Sequence, residues 1–454
     1  MPGVLRIGAA LASAMVLLVP AIWNRFPLLE YDTGGYLARW FEPWLVPSRS
    51  TVYGLFLVLL AHPDFWPAVI VQSLLTVWML SLVLRALGLG GRPMLLFGVT
   101  LALAALTTLP WIAGVLLTDI FAGLAVLAVH LLVYADGTLR RWERLALVAL
   151  LAFAAATHSA TFAVVLGLIA VAALGYRLFQ IGSIAGIARG AMALMLGALM
   201  LLTANYVAAG HFAWTPGGIA LSFGRMLQDG VVHRYLAEHC AEHHMQLCAH
   251  RAELPDNADA FFWSGGDSLF NRLGRFQGLG DEMTTIVADS LRAYPGWQAE
   301  LAAVATVRQL THFATGEGVL DSVWHTYWAI GAFSPQAVAD MRAARQQHGE
   351  LSFNLVNRVD RPVAILSLAL LAAIACAGWR RRWSADLVAL ATTTVLALLG
   401  NAVVCGVFAN PHDRYGARLI WLAPLVVTLA LCRIVAARDR VPLDRLALEP
   451  IPRR

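Results

Sequence analysis

The sequence predicts an all-α polytopic membrane protein of about ten transmembrane helices with an inserted, mainly helical extracytoplasmic domain. Three observations carry this expectation. Of 454 residues, 59% are hydrophobic and only 13% charged, where a soluble domain carries roughly 25% charged residues. The apolar residues come in runs long enough to cross a hydrocarbon core of about 30 Å. One long stretch, residues 209–361, breaks that pattern and holds most of the His, Asp and Glu of the chain.

The runs fall near residues 4–24, 66–88, 93–110, 118–135, 145–157, 159–176, 190–208, 362–379, 387–408 and 418–436. The first is about as long as a membrane span and lacks a small-x-small cleavage site, so it reads as a membrane helix rather than a secretory leader. The fifth is short and predicts a tight hairpin with the sixth. Val52 to Ala61 is shorter still and reads as a re-entrant or interfacial helix. Four regions follow: an N-terminal transmembrane module (1–208), an extracytoplasmic helical domain (209–361), C-terminal transmembrane helices (362–437) and a cytoplasmic tail (438–454). Helical periodicity from Asp281 to Ala314 makes the inserted domain helical.

The net charge of +5 comes from arginine alone; lysine is absent. The arginines flank apolar runs instead of forming a tract, which argues against a nucleic-acid partner and for membrane lipid as the surroundings. With the N-terminus inside, the inner loops hold Arg85, Arg92, Arg140, Arg141, Arg144, Arg177, Arg189 and Arg380 to Arg382, and the C-terminal end adds Arg433, Arg438, Arg440, Arg445, Arg453 and Arg454. The short outer loops near Pro110 and His158 hold none. A multi-pass protein of a bacterial inner membrane with both termini cytoplasmic is the expected result.

That topology collects the polar turns on one face. After the first span comes Leu29-Glu30-Tyr31-Asp32-Thr33-Gly34-Gly35-Tyr36, where an acid at the lipid boundary suits general-base work and glycines admit a substrate to the backbone. Alternatively Asp32 caps the helix that follows. Asp119 opens the fourth span, as an N-cap or as a second acid converging on Asp32. Before the last span, Asn410 to Arg418 carries Arg414 and Arg418. A guanidinium fork matches phosphate oxygens, although interfacial snorkelling or pairing with Asp413 would also use these arginines. His158 marks another polar spot at helix ends.

Cys240 and Cys248 predict a disulfide in the polar region. His239, His243 and His244 surround Cys240 without a complete zinc-ligand spacing, which favours the disulfide-closed loop over a zinc site. No phosphate-cradling glycine loop and no Gly-x-Ser-x-Gly elbow is present, so ATP-driven and hydrolase-fold chemistry have no signal.

The pattern resembles the GT-C superfamily of integral membrane glycosyltransferases. The resemblance rests on Glu30-Tyr31-Asp32 with Tyr36, Ser48-Arg49-Ser50 with Tyr53, Pro110 to Asp119, and Arg414-Tyr415, over residues 1–205 and 362–437. It implies transmembrane helices of GT-C type and a polyprenyl-phosphate-linked sugar as donor. It also implies a first-loop acid as catalytic base, Asp32 or its neighbour Glu30, with Asp119 as the second-loop acid that positions the base, the acceptor or a divalent metal ion. Arg414, Arg418 and Arg49 would hold the donor phosphate; Tyr36, Tyr53, His158 and Tyr415 would line the substrate. The acceptor, a lipid, glycan or protein, stays open.

Two other functions fit the same outline. A polysaccharide polymerase or ligase would use arginines of the large outer loop, Arg225, Arg234, Arg272 and Arg275. A transporter or flippase of a lipid-linked substrate would need charged residues deep in the spans, where His130 is the nearest case. Trp263, Trp297, Trp324 and Trp328 of the inserted domain could stack on sugars, fill that domain's core or rest on the membrane.

Overall fold

Long apolar runs closed by capping residues, glycines and prolines produce helix after helix. The computed structural model describes residues 2–42, 45, 48–215, 218–241, 244–379 and 384–438. Arg380 to Arg382, His243 and all of the tail beyond Arg438 lie outside the described residues. Among those described there is no β-strand, only an isolated parallel bridge between Leu28 and Val115.

Ten helices run from the N-terminus through the first module: α1 (Pro2–Asn24), α2 (Tyr31–Ala38), α3 (Thr51–Leu59), α4 (Trp66–Ala86), α5 (Pro93–Leu106), α6 (Leu109–Gly114), α7 (Asp119–Tyr134), α8 (Arg141–Thr157), α9 (Ser159–Phe179) and α10 (Ile184–Ala209). The later long helices are Asn354–Trp379, Ala385–Phe408 and the pair Asp413–Ile420 and Leu422–Arg438. That pair meets at Trp421 because Pro424 has no N–H to give the carbonyl of Ile420.

Among the described residues, 7 helices are long and apolar enough to cross a membrane, not the ten expected. They are α1, α4, α9, α10 and the three later ones. The runs at 93–110, 118–135 and 145–157 form helices of 14, 16 and 17 residues. At a rise of 1.5 Å per residue, a helix of that size spans about 24 Å, short of a full hydrocarbon core. α7 is also enclosed by its neighbours: every residue from Asp119 to Val133 is buried, so its apolar side chains pack against other helices.

The shorter features agree with their sequence signals. α8 and α9 form the expected hairpin, with His158 alone between them in an extended conformation. α3 is the short helix expected at Val52 to Ala61, and the Ser50 hydroxyl accepts from Val52 N at 3.1 Å to cap it. Gly54 lets α3 approach α2, since a Cβ there would sit 2.3 Å from the Tyr36 carbonyl oxygen.

Residues 209–361 contribute to two hydrophobic cores. Phe223, Leu227, Tyr235, Phe261, Phe270 and Ile286 belong to a separate cluster, and the expected Cys240–Cys248 disulfide closes the loop beside it. Phe313, Val323, Ile330 and Met341 belong instead to the main core of the long helices. The helix Pro295–Thr311 lies against Ala385–Phe408 so closely that a Cβ on Gly406 would come 2.7 Å from the Ala305 carbonyl oxygen. The second half of the polar stretch is therefore folded onto the bundle, where it reaches the candidate site.

Candidate functional site

Two loops are laced together before any functional side chain is considered. Leu28 N donates to Gly114 O at 2.9 Å, Leu116 N donates to Leu28 O at 3.0 Å, and the Thr33 hydroxyl donates to Leu116 O at 2.9 Å. This lacing sets the first turn of α2, with Asp32, beside the start of α7, with Asp119. The last loop arrives from the other side: a Cβ on Gly123 of α7 would lie 2.5 Å from the Trp421 ring, and Gln309 bonds both the N–H and the carbonyl of His412.

The cap of α2 is Glu30, not Asp32. Glu30 Oε2 accepts from Asp32 N at 2.5 Å while the Thr33 hydroxyl accepts from Glu30 N at 3.1 Å, a reciprocal capping box. Asp119 is the first residue of α7, and its Oδ1 has no hydrogen-bond partner among the described residues.

The structure brings Glu30, Asp32, Asp119, Arg49 and Arg414 together. Arg414 Nη1 donates to Glu30 Oε1 at 3.0 Å and Asp32 Oδ2 at 2.7 Å, and its Nε donates to Asp119 Oδ2 at 3.0 Å. Arg49 donates to the other oxygen of Asp32 and lies over the Tyr36 ring. Glu30, Asp32 and Asp119 are 6%, 9% and 4% exposed, so these charges are compensated by one another and not by water. Arg414 is not a snorkelling surface arginine, and Asp413 is bound elsewhere, to Ala314 N at 2.8 Å.

Three buried carboxylates face two guanidiniums, and the excess negative charge falls on Glu30. Burial, reinforced by the charge of Asp32 against the pull of Arg414, raises its pKa to about 7. For Asp32 burial also pushes upward, but Arg49 and Arg414 outweigh it and hold the carboxyl below its ordinary range.

The other expected residues surround this knot at graded distance. Tyr36 is buried against Tyr53, ring to ring at 5.0 Å. Tyr53 is fully buried and donates to Gln72 at 3.1 Å, and Gln72 in turn donates to Ala113 O and Val115 O. It therefore stiffens the second loop instead of reaching the acids. Tyr415 packs edge-on against His412. Arg418 is 1% exposed and does not join the acids: it donates to Asn401 Oδ1, Cys405 Sγ and His158 Nδ1.

Glu317, Thr326 and Gln346 also build the site and carry no motif. Glu317 accepts from Arg414 N at 2.6 Å and pairs with His412 at 2.9 Å. It is flanked by Gly316 and Gly318, both at positive φ, and a Cβ on Gly318 would lie 2.3 Å from Glu30 Oε1. An acid between two glycines was the available signal. Thr326 accepts from Gly34 N and donates to the carbonyl of Glu30, while Gln346 bonds both the N–H and the carbonyl of Leu29. A Cβ on Gly34 would lie 2.6 Å from the Thr326 Cα, so Gly34→Ala is expected to lower stability by about 1–3 kcal/mol through forced separation of the two segments. Thermal unfolding in detergent checks this.

A cavity of about 40 Å³ adjoins the knot, lined by Glu30, Asp119, Glu317 and Arg414 with Trp111 and Phe353. It holds a few waters at most. Among the described residues no three or more His, Cys, Asp or Glu side chains form a group that could hold a metal ion; one oxygen each of Glu30, Asp32 and Asp119 is bound by Arg414. The outer-loop arginines are engaged elsewhere: Arg225 with Asp229 and Gln298, Arg234 with Glu238, Arg272 with Glu253, and Arg275 over Phe270. Of the four tryptophans, Trp297 packs against the separate cluster, while Trp263, Trp324 and Trp328 are exposed. The chain matches no known protein family, curated protein or solved structure with which it was compared.

Proposed function

We propose that this chain is a membrane glycosyltransferase that moves a sugar from a polyprenyl-phosphate carrier to an extracytoplasmic acceptor. The observation that carries the reading is the convergence of carboxylates from two loops on the guanidinium of a third, buried at one end of a bundle of apolar helices. In this reading the donor phosphate takes over the forks of Arg414 and Arg49, with Arg418 behind them. Asp32, released from both, gains proton affinity and accepts the proton of the acceptor hydroxyl. The hydroxyl oxygen then attacks the anomeric carbon. The bond from that carbon to the phosphate oxygen breaks, and polyprenyl phosphate leaves with the electron pair.

The small cavity means that donor binding must part the walls around Arg414. On the same reading α5, α7 and α8 complete a set of ten membrane crossings. Residues 209–361 stand on the extracytoplasmic side of a bacterial inner membrane, and both termini are cytoplasmic. The separate core at 220–294 then offers a place to bind the acceptor. The experiment is direct: purified protein is given polyprenyl-phosphate-linked sugars and a membrane extract as acceptor source, and release of polyprenyl phosphate is followed. Release in step with glycosylated product is expected. Lipid movement across proteoliposomes without any transfer would replace the reading with a flippase.

A further inference from the structure

The joint between α8 and α9 holds a histidine whose tautomer is fixed by its neighbours. Nδ1 of His158 is approached by Ala160 N at 3.2 Å and by Arg418 Nη1 at 3.3 Å. Both neighbours are donors: a backbone N–H has no lone pair to offer, and a guanidinium accepts nothing. Nδ1 must therefore present its lone pair, and the ring proton sits on Nε2. The charged groups that act on the ring are Arg418, Arg414, Arg49 and, with opposite sign, Asp32. Burial first, then the three arginines, hold the imidazole well below its ordinary pKa. The ring is neutral, partly buried, and its Nε2–H has no hydrogen-bond partner among the described residues.

A second observation bears on what that N–H addresses. Arg418 is almost fully buried, yet its partners are Asn401, Cys405 and His158, none of them an anion. Among the described residues no carboxylate is bonded to this buried cation, so positive potential remains around His158.

We infer that the Nε2–H of His158 is a hydrogen-bond donor to an anionic oxygen bound among Arg49, Arg414 and Arg418. This rests on the glycosyltransferase reading only for the identity of the anion, the phosphate of the lipid donor. The ring contributes a direction that three guanidiniums lack: a single N–H whose orientation is set from behind by the α9 cap and by Arg418. His158 is thus a binding residue, neutral by design of its surroundings, and transfers no proton.

Two substitutions separate this role from the capping role. Asparagine places an acceptor where Nδ1 stands and is among the best N-cap residues, so His158→Asn keeps the α9 cap and removes the distal donor. Glutamine places an amide N–H near the position of Nε2, so His158→Gln keeps the donor and weakens the cap. Binding of undecaprenyl phosphate to the purified full-length chain in detergent is then measured for all three proteins. The Asn variant is expected to bind about tenfold or more weakly and the Gln variant within about threefold of wild type. Unchanged binding by the Asn variant overturns the inference. So does weakening confined to the Gln variant, because only the cap would then matter. If wild type does not bind the lipid phosphate, the donor reading falls by itself. Inorganic pyrophosphate then serves as the probe: the same order of affinities upholds the role of His158, and no binding by wild type overturns it.

Discussion

Replacing Arg414 by alanine is expected to destabilise the protein by about 3–5 kcal/mol at pH 8, the loss typical when one partner of a buried ionic cluster is removed. The guanidinium holds Glu30, Asp32 and Asp119 at once. Without it, three buried carboxylates share Arg49 alone, which touches only Asp32. Their least costly response is to take up protons. The loss should therefore shrink as pH falls: at pH 5 the variant recovers a large part of its deficit, whereas wild type does not gain in the same proportion. Arg414→Lys should fall between, because an ammonium is a point charge that cannot reproduce the planar fork. Thermal unfolding in detergent at pH 5 and pH 8 measures both. A variant as stable as wild type at pH 8 would mean that the knot is a surface arrangement, against its burial.

The meeting of Asp32, Asp119 and Arg414 was legible because each lies within a few residues of an apolar run. Run parity and arginine asymmetry send all three turns to the same end of the bundle. Their neighbours were less so. Glu317, Thr326 and Gln346 act across separations of 97, 296 and 317 residues, and each sits in a polar stretch where any side chain could be surface. Arg418 was legible as a cation near the site, but helical geometry takes it one turn below Arg414, onto Asn401 and His158. The lengths of the middle helices were not legible for a different reason. A sequence tells how apolar a run is and not whether lipid or protein covers it, and α7 is covered by protein.

Glu30 and Asp32 sit two residues apart and respond to pH in opposite senses, which allows their roles to be separated. The raised pKa of Glu30 means that its native state binds the proton more tightly than its unfolded state. Its contribution to stability is full below the ordinary glutamate value of 4.5 and is lost as pH rises through about 7. Asp32 is depressed, so its contribution is present above its unfolded pKa and lost as pH falls through the folded one. Glu30→Gln should accordingly flatten the decline of stability between pH 4.5 and 7, and Asp32→Asn should not. In catalysis the order reverses. Glu30 is built into the fold, with one oxygen on the Asp32 N–H and Gly318 packed against its carboxyl, whereas both oxygens of Asp32 are held by the two arginines that a donor phosphate would claim. Asp32→Asn is expected to cut transfer by about 10²–10⁴ with donor binding retained, as for loss of a general base. Glu30→Gln should cost less than about tenfold, since the amide still caps α2. Rate assays of both variants with matched donor-binding titrations decide between them. A severe loss in Glu30→Gln beside near-normal transfer in Asp32→Asn would move the proton-accepting role two residues back along the loop, to the acid whose pKa already lies near neutrality.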